Sequence, residues 1–350
     1  MRANTNYRMR RCGREIVYFL GVSQMKLIIV GGVAGGASAA ARARRLSDDA
    51  HIVLFERGPD VSFANCGLPY YIGDEITDRD KLLVTTPERL KARFKLDVRT
   101  RSSVESIDRV AKQVHVRDLA SGREYDESYD KLILATGAAP FRPDIPGADL
   151  PDVFTLRNLQ DTDHIKARAQ QGVRQAVLLG GGFINLELAE NLVRLGISTT
   201  IVERGDQVLT PFDKEMTTPI AEALAQKGVT LILGQAAEAI EPVSAGLAVC
   251  LTSGEILAAQ LVVFGIGVRP ENKLAVDAGL AVGPRGGIRV NDNLQTCDPN
   301  IFAVGDAIEI KDVVSGDLTQ VPLAGPAMGK PASAQASVPP STLMTFVKPA

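Results

Sequence analysis

The chain has 350 residues, 45% of them hydrophobic and 23% charged, with a formal net charge of −2. That length allows two domains, the near-neutral charge argues against a general nucleic-acid or membrane-surface binder, and no apolar run is long enough to span a bilayer. The four cysteines (Cys12, Cys66, Cys250, Cys297) and three histidines (His51, His115, His164) are scattered, so neither a secreted disulfide framework nor a metal site is expected, and a reducing cytoplasm fits.

Residues 1–24 are arginine-rich with a short apolar run at 16–20. They lack the longer apolar core and cleavage site of a signal peptide and are read as a disordered extension. From Met25 the pattern changes. Residues 26–30 form a continuous apolar run, as a buried parallel strand would. Gly31-Gly32-Val33-Ala34-Gly35-Gly36 follows, then an alanine-rich helix to about Leu46, then a strand over 51–55 that ends at Glu56. Strand, glycine turn, helix, strand and acidic residue make a dinucleotide-binding unit. The turn brings backbone N–H groups to a pyrophosphate, and the acid accepts from ribose hydroxyls. Val33 replaces the middle glycine of the usual GxGxxG. On the helix, Ser38, Arg42 and Arg45 share a face. That stripe suits either solvent or the phosphates of a second ligand.

The stretch Ser62-Phe63-Ala64-Asn65-Cys66-Gly67-Leu68-Pro69-Tyr70 holds one cysteine in a setting that suits chemistry. Pro69 fits a first helical turn. A sulfur just before that turn faces the positive end of the helix, which favours the thiolate. Gly67 would let another group approach the sulfur. A buried structural thiol is the alternative. Beyond it, 74–100 reads as helix and connector opening a helix at Pro87. Short strands are expected over 104–110 and 113–117, and a buried strand ends in Ala135-Thr136-Gly137, a tight turn beside a ligand-sized space. Pro140, Pro143 and Pro146 mark a linker.

A second unit opens at Gln175. Its strand reaches Leu179; Gly180-Gly181-Gly182-Phe183-Ile184-Asn185-Leu186-Glu187 is the turn and helix start; the next strand ends at Glu203. Asn185 replaces the third glycine, which should loosen helix–strand packing. Glu203 pairs with a free ribose diol and repels a 2′-phosphate. NADH is therefore expected over NADPH, although Arg204 beside it could accommodate the phosphate. Glu187 either faces the flavin–nicotinamide junction or caps the helix. Residues 262–270, including Gly267, close this unit, and a further strand ends in Gly305-Asp306, where an aspartate can bond the ribityl chain of FAD. Two units imply two dinucleotides, FAD in the first and a nicotinamide in the second. The fold class expected is α/β, two Rossmann-like three-layer domains with the second inserted in the first. The boundaries expected are 25–150 and 271–327 for the FAD domain, 151–270 for the NAD(P) domain, and a disordered tail over 328–350.

The order of these motifs resembles the pyridine nucleotide-disulfide oxidoreductases, and within them the coenzyme A-disulfide reductases and related persulfide and polysulfide reductases. The resemblance runs from about Met25 to Ala327. It implies that the single redox cysteine is Cys66, that Ser38, Arg42, Arg45, Ser62 and Asn65 contact coenzyme A, and that Cys250 and Cys297 are inert. Arg42 stands where the best-known relatives have glutamine. The flavin set is Gly31, Gly32, Val33, Ala34, Gly35, Gly36, Glu56, Arg57, Thr136, Gly137 and Asp306. The nicotinamide set is Gly180, Gly182, Phe183, Ile184, Glu187, Glu203 and Gly267. Relatives with two cysteines place the second five positions on, where Tyr71 stands. The peroxidase and oxidase branch has a histidine in its first glycine turn, where Ala34 stands. That branch also has SFLSCG-type sequences, without this Asn65-Cys66-Gly67-Leu68-Pro69, and both differences from it favour a thiol-disulfide enzyme, one reducing coenzyme A disulfide, persulfide or polysulfide with NAD(P)H. The alternatives are an NADH oxidase or peroxidase cycling a cysteine sulfenic acid, and a truncated flavin-binding remnant with little turnover. The family is homodimeric through a third domain that this sequence does not show; a small-molecule substrate is the expected partner, with neither nucleic acid nor membrane.

Overall fold

The computed structural model describes the backbone of Arg8–Cys12 and Glu15–Phe19, and residues 24–312, 314–323 and 327. Arg8–Cys12 and Glu15–Phe19 pair as an antiparallel two-stranded sheet. This departs from the disordered extension expected over 1–24. The Ile16-Val17-Tyr18-Phe19 run is β-branched and aromatic, which suits a strand. The rest of 1–23 and the tail expected over 328–350 lie outside the described residues.

Two five-stranded parallel sheets organise the remainder. The first runs Ile301–Ala303, Lys131–Leu134, Lys26–Val30, His51–Phe55, Asp97–Arg99. The second runs Val153–Thr155, Leu261–Phe264, Gln175–Leu179, Ser198–Glu203, Thr230–Leu233. The crossovers match. In the first unit they are the helices Ala34–Leu46 and Pro87–Phe94, then an antiparallel sheet of Ser102–Asp108, Gln113–Asp118 and Glu124–Ser128. In the second they are the helices Phe183–Arg194 and Lys214–Gln226, then an antiparallel sheet of Ala237–Val243, Gly246–Leu251 and Ile256–Ala259. The chain therefore builds one design twice, the second copy inserted before the last strand of the first.

The apolar runs are two-sided because each parallel sheet is covered on both faces. In the second unit, Ala176, Leu178, Leu261 and Val263 pack toward the helices. The alternating Val177, Leu179, Val262 and Phe264 pack toward the antiparallel sheet. Two short strands, Ala138–Pro140 and Val268–Pro270, pair antiparallel where the chain passes between units.

Candidate functional site

In the first turn, Gly31 takes a φ of +102°, and a Cβ there would lie 2.1 Å from the Ala135 carbonyl oxygen. Gly36 sits on the Gly31 carbonyl, which its Cβ would meet at 1.7 Å. Glycine is thus fixed at both positions by backbone approach. Val33 stands where the middle glycine was expected and caps the helix. Glu56 accepts from Gly32 N at 2.7 Å and from Gly58 N at 2.7 Å, so its carboxylate is locked against the turn. Gly35 faces Val304, next to Gly305-Asp306. Thr136 donates to the Glu271 carbonyl at 2.6 Å, and Gly137 has a φ of +72°. Arg57 pairs with Glu271. Burial raises the pKa of Asp306, and the positive Arg157 nearby opposes that rise. Asp306 makes no hydrogen bond among the described residues.

The second turn repeats the first. Gly180 has a φ of +105°, and its Cβ would lie 2.5 Å from the Gly265 carbonyl oxygen. Glu203 accepts from Gly181 N at 2.6 Å and Gly205 N at 2.6 Å, the arrangement Glu56 makes. Gly182 caps the helix, and a Cβ there would touch only the Gly265 carbonyl oxygen, at 3.6 Å. Gly267, with a φ of +115°, borders open space. Phe183 and Ile184 are exposed beside the turn, with Phe212 edge-on to Phe183.

The expected loosening at Asn185 is corrected by the geometry. Asn185 occupies the place of Gly36 yet is fully buried. Its amide donates to the carbonyls of Leu179 and Gly180, each at 2.9 Å. The carbonyl that excludes a side chain in the first unit is here a hydrogen-bond acceptor. Room comes from Gly265, whose Cβ would lie 2.5 Å from Asn185 Cγ. Ala135 holds the corresponding place in the first unit. The side chain has moved from strand end to helix.

Cys66 lies between the two units. Ser62, with a φ of +46°, donates from its backbone N to the Gly32 carbonyl at 3.0 Å, tying the segment to the first turn. A 3-10 turn, Asn65–Gly67, runs into the cysteine helix, Leu68–Ile72, with Pro69 in its first turn. Cys66 and Asn65 are exposed, which sets aside a buried structural thiol. Gly67 does not open a path to the sulfur. It is buried, and a Cβ there would meet Leu82 Cδ2 at 2.5 Å.

The cysteine helix belongs to the first unit in sequence but to the second in packing. Leu68, Ile72 and Leu82 share a core with Leu159, Ile165, Leu188 and Leu192. Arg79 bridges Asp163 at 2.9 Å and Asp60 at 3.3 Å. Lys166, 12% exposed, lies 4.1 Å from the centre of the Tyr71 ring and pairs with Asp74. Arg194 pairs with Glu75. Burial, then Glu190, raises the pKa of Glu187. Tyr70 is raised by burial first, then by Glu187, Glu190 and Cys66. Tyr70 therefore feels the carboxylates of the helix that packs on the cysteine helix. Tyr70, Arg157, Lys166 and Gly265 were not among the site residues named from sequence; Tyr70 and Gly265 lay within the singled-out stretches 62–70 and 262–270, and Arg157 and Lys166 carried no signal.

On the helix stripe, Ser38 and Arg42 are partly buried and Arg45 exposed. Arg42 Nε is buried without a partner, and Arg45 stacks on Phe94 at 5.7 Å. Arg44, off the stripe, is consumed by backbone carbonyls, among them Phe94 O at 2.8 Å. The stripe thus keeps guanidinium donors for an anion. The fit to dinucleotides is similar. Each turn offers closely approached backbone before a helix N-terminus, with a carboxylate that retains further lone pairs for ribose. Among the described residues, no helix is long and apolar enough to cross a membrane.

The model of a family described as pyridine nucleotide-disulphide oxidoreductase matches residues 25–338. The coenzyme A disulfide reductase of Staphylococcus aureus (strain JH9) is 37% identical over 287 residues, 80% of this chain and 63% of that protein. The crystal structure of reduced Bacillus anthracis CoADR-RHD matches with a TM-score of 0.87 at 46% identity, covering 92% of this chain and 58% of that one. The structure of an NAD-dependent persulfide reductase from A. fulgidus matches with a TM-score of 0.87 at 33% identity, covering 90% of this chain and 59% of that one. The chain spans less than two thirds of each of these relatives.

Proposed function

Because the chain belongs to the pyridine nucleotide-disulphide oxidoreductase family, we propose that it passes electrons from NAD(P)H through FAD to Cys66, which reduces coenzyme A disulfide or a coenzyme A persulfide or polysulfide. The observation that carries this reading is the placement of Cys66, an exposed thiol on a segment tied to the first glycine turn and seated on the helix that follows the second.

We assign 25–150 and 271–327 to the flavin unit and 151–270 to the nicotinamide unit. Gly31 through Gly36, Glu56, Arg57, Thr136, Gly137 and Asp306 would hold FAD. Gly180, Gly182, Phe183, Ile184, Glu203 and Gly267 would hold the nicotinamide nucleotide, with Glu187 toward their junction. When bound, the flavin supplies the relay from a two-electron hydride donor to a sulfur acceptor. The chain's own work is positional. Ser38, Arg42 and Arg45 take the phosphates, Ser62 and Asn65 flank the thiol, and the Cys66 thiolate attacks the substrate disulfide. That attack forms a mixed disulfide and releases one thiolate, which takes a proton from solvent; two electrons then return Cys66 and free the second thiol. Glu203, with one oxygen on Gly181 N of the second turn and the other on Gly205 N, brings a negative charge that would repel a 2′-phosphate and so favours NADH.

The test is anaerobic. NADH should bleach the bound flavin, coenzyme A disulfide should restore its colour, and Cys66→Ser should abolish the restoration. Recovery with oxygen or peroxide alone would replace this reading with a sulfenic-acid oxidase or peroxidase. A purified chain that takes up no flavin would remove it.

A further inference from the structure

The two glycine turns hold their acids alike but are braced differently. In each, the carboxylate that ends the second strand accepts from the second glycine of the turn: Glu56 from Gly32 N at 2.7 Å, Glu203 from Gly181 N at 2.6 Å. That N–H belongs to a peptide with glycine on both sides, the kind that rotates most freely. The other end of the peptide is the carbonyl of Gly31 or of Gly180. A rotation there would carry the N–H away and release the carboxylate.

In the first unit the Gly31 carbonyl abuts Gly36 and takes no side-chain hydrogen bond among the described residues. In the second, Asn185 donates to the Gly180 carbonyl and to the Leu179 carbonyl, each at 2.9 Å. The Gly180–Gly181 peptide is therefore bonded at both ends, through its oxygen to Asn185 and through its N–H to Glu203. The peptide before it is held in the same way. Its N–H lies on Val202 O at 2.7 Å, and its oxygen, that of Leu179, also accepts from Gly265 N at 2.8 Å. The direction of the Asn185 amide follows, since reversed it would set its oxygen against two carbonyl oxygens. The cost falls on the same side chain, whose Oδ1 is buried without a partner. Glycine, which serves in the first unit, would avoid that cost. What the amide adds is the fixed peptide.

Fixing the peptide matters most in a site that empties. A cofactor that stays bound braces its own turn, whereas a nucleotide that enters and leaves at each turnover meets a site that must hold its shape unaided. Glu203 has its second oxygen on Gly205 N at 2.6 Å, so with the peptide fixed its carboxylate is kept from turning aside for a 2′-phosphate. We propose that Asn185 is a positioning residue for nucleotide choice: acting through the Gly180–Gly181 peptide, it holds Glu203 in place and sharpens the preference for NADH over NADPH. This rests on the reading of the second unit as the nicotinamide unit and of Glu203 as its ribose acid.

The test is the ratio of the NADP+ to the NAD+ dissociation constant, measured by titration calorimetry on the purified chain. The oxidised nucleotides are used so that no electron moves. Asn185→Gly combined with Gly265→Ala copies the first unit's arrangement, removing the amide while keeping bulk at the joint. It should lower the ratio about fivefold, the worth of roughly one hydrogen bond. A general loosening of the fold would weaken both nucleotides and leave the ratio in place. In a Glu203→Gln chain the same pair of changes should not move the ratio further. An unchanged ratio in the first comparison, or an equal drop in the second, overturns the proposal. Should the double variant fail to fold, Asn185→Ala, for which Gly265 leaves room, is read in the same way, and an unchanged ratio overturns the proposal equally. Failure here is separable from failure of the proposed function. A native chain that prefers NAD+ with a ratio indifferent to residue 185 keeps the nucleotide reading and loses the inference. A native chain that binds neither nucleotide, or prefers NADP+, loses the reading and the inference with it.

Discussion

At Asn185 and Gly265 this chain departs from its own internal repeat. In the first unit the helix carries Gly36 and the strand end carries Ala135; in the second the bulk has changed sides. Gly265→Ala would drive a methyl to about 2.5 Å from Asn185 Cγ, closer than real contacts allow. We expect it to cost about 2–3 kcal/mol, as overpacking does, in denaturant melts. Asn185→Gly in the same chain should recover most of the loss by recreating the first unit's arrangement. Two costs that simply add would show that the sites are independent. The sequence flagged position 185 as irregular but implied a looser joint. It could not show that the amide would bond two carbonyls, because Gly265, which makes the room, belongs to another strand far along the chain.

At the scale of the element, the cysteine helix is too short to stand alone. Its position comes from Leu68 and Ile72 below and from ion pairs at its rim. Lys166 contributes twice, through Asp74 and through the face of Tyr71. Lys166→Met keeps the stem and removes the charge. We expect a loss of about 1 kcal/mol in stability, and faster alkylation of Cys66 at every pH without a change of midpoint. A midpoint shift instead would mean that Lys166 acts on the sulfur by charge and not by holding the helix. The helix itself was legible from Pro69, but the exposure of the cysteine beside it was not, and a buried thiol stayed open until the structure showed Cys66 at the surface. Nor was the seat of the helix legible, since it is built from apolar residues of two distant helices that show only ordinary helical spacing. The antiparallel strands were also partly hidden. Glu124–Ser128 is almost wholly polar and alternates without an apolar face to announce it.

In the whole molecule, the two parallel sheets could be read from their apolar runs, because burial on both faces leaves an unmistakable composition. What binds the layers is less visible. Glu127, on the antiparallel sheet, accepts from Arg99 at 2.5 Å and pairs with Lys26, both on the parallel sheet of the first unit. Burial alone would raise the Glu127 pKa, but the bonds from Lys26 and Arg99 outweigh it and hold the carboxyl below its ordinary 4.5. A depressed folded value means that the unfolded chain binds the proton first. The stabilisation is therefore complete above about 4.5 and is lost as pH falls through the folded value. Glu127→Gln should lower stability by about 1–2 kcal/mol at neutral pH and flatten the acid limb of the stability–pH curve. An unchanged acid limb would place the layer contact elsewhere. The order of the first sheet has a separate consequence, in time. Lys131–Leu134 waits for Ile301–Ala303 as its outer neighbour, and the whole inserted unit is translated between them. While the ribosome makes that unit, the first sheet has an apolar edge with its N–H and C=O groups unpaired, the template that stray strands join. The nested arrangement that brings the two units together also makes the oldest part of the nascent chain the last to be sealed.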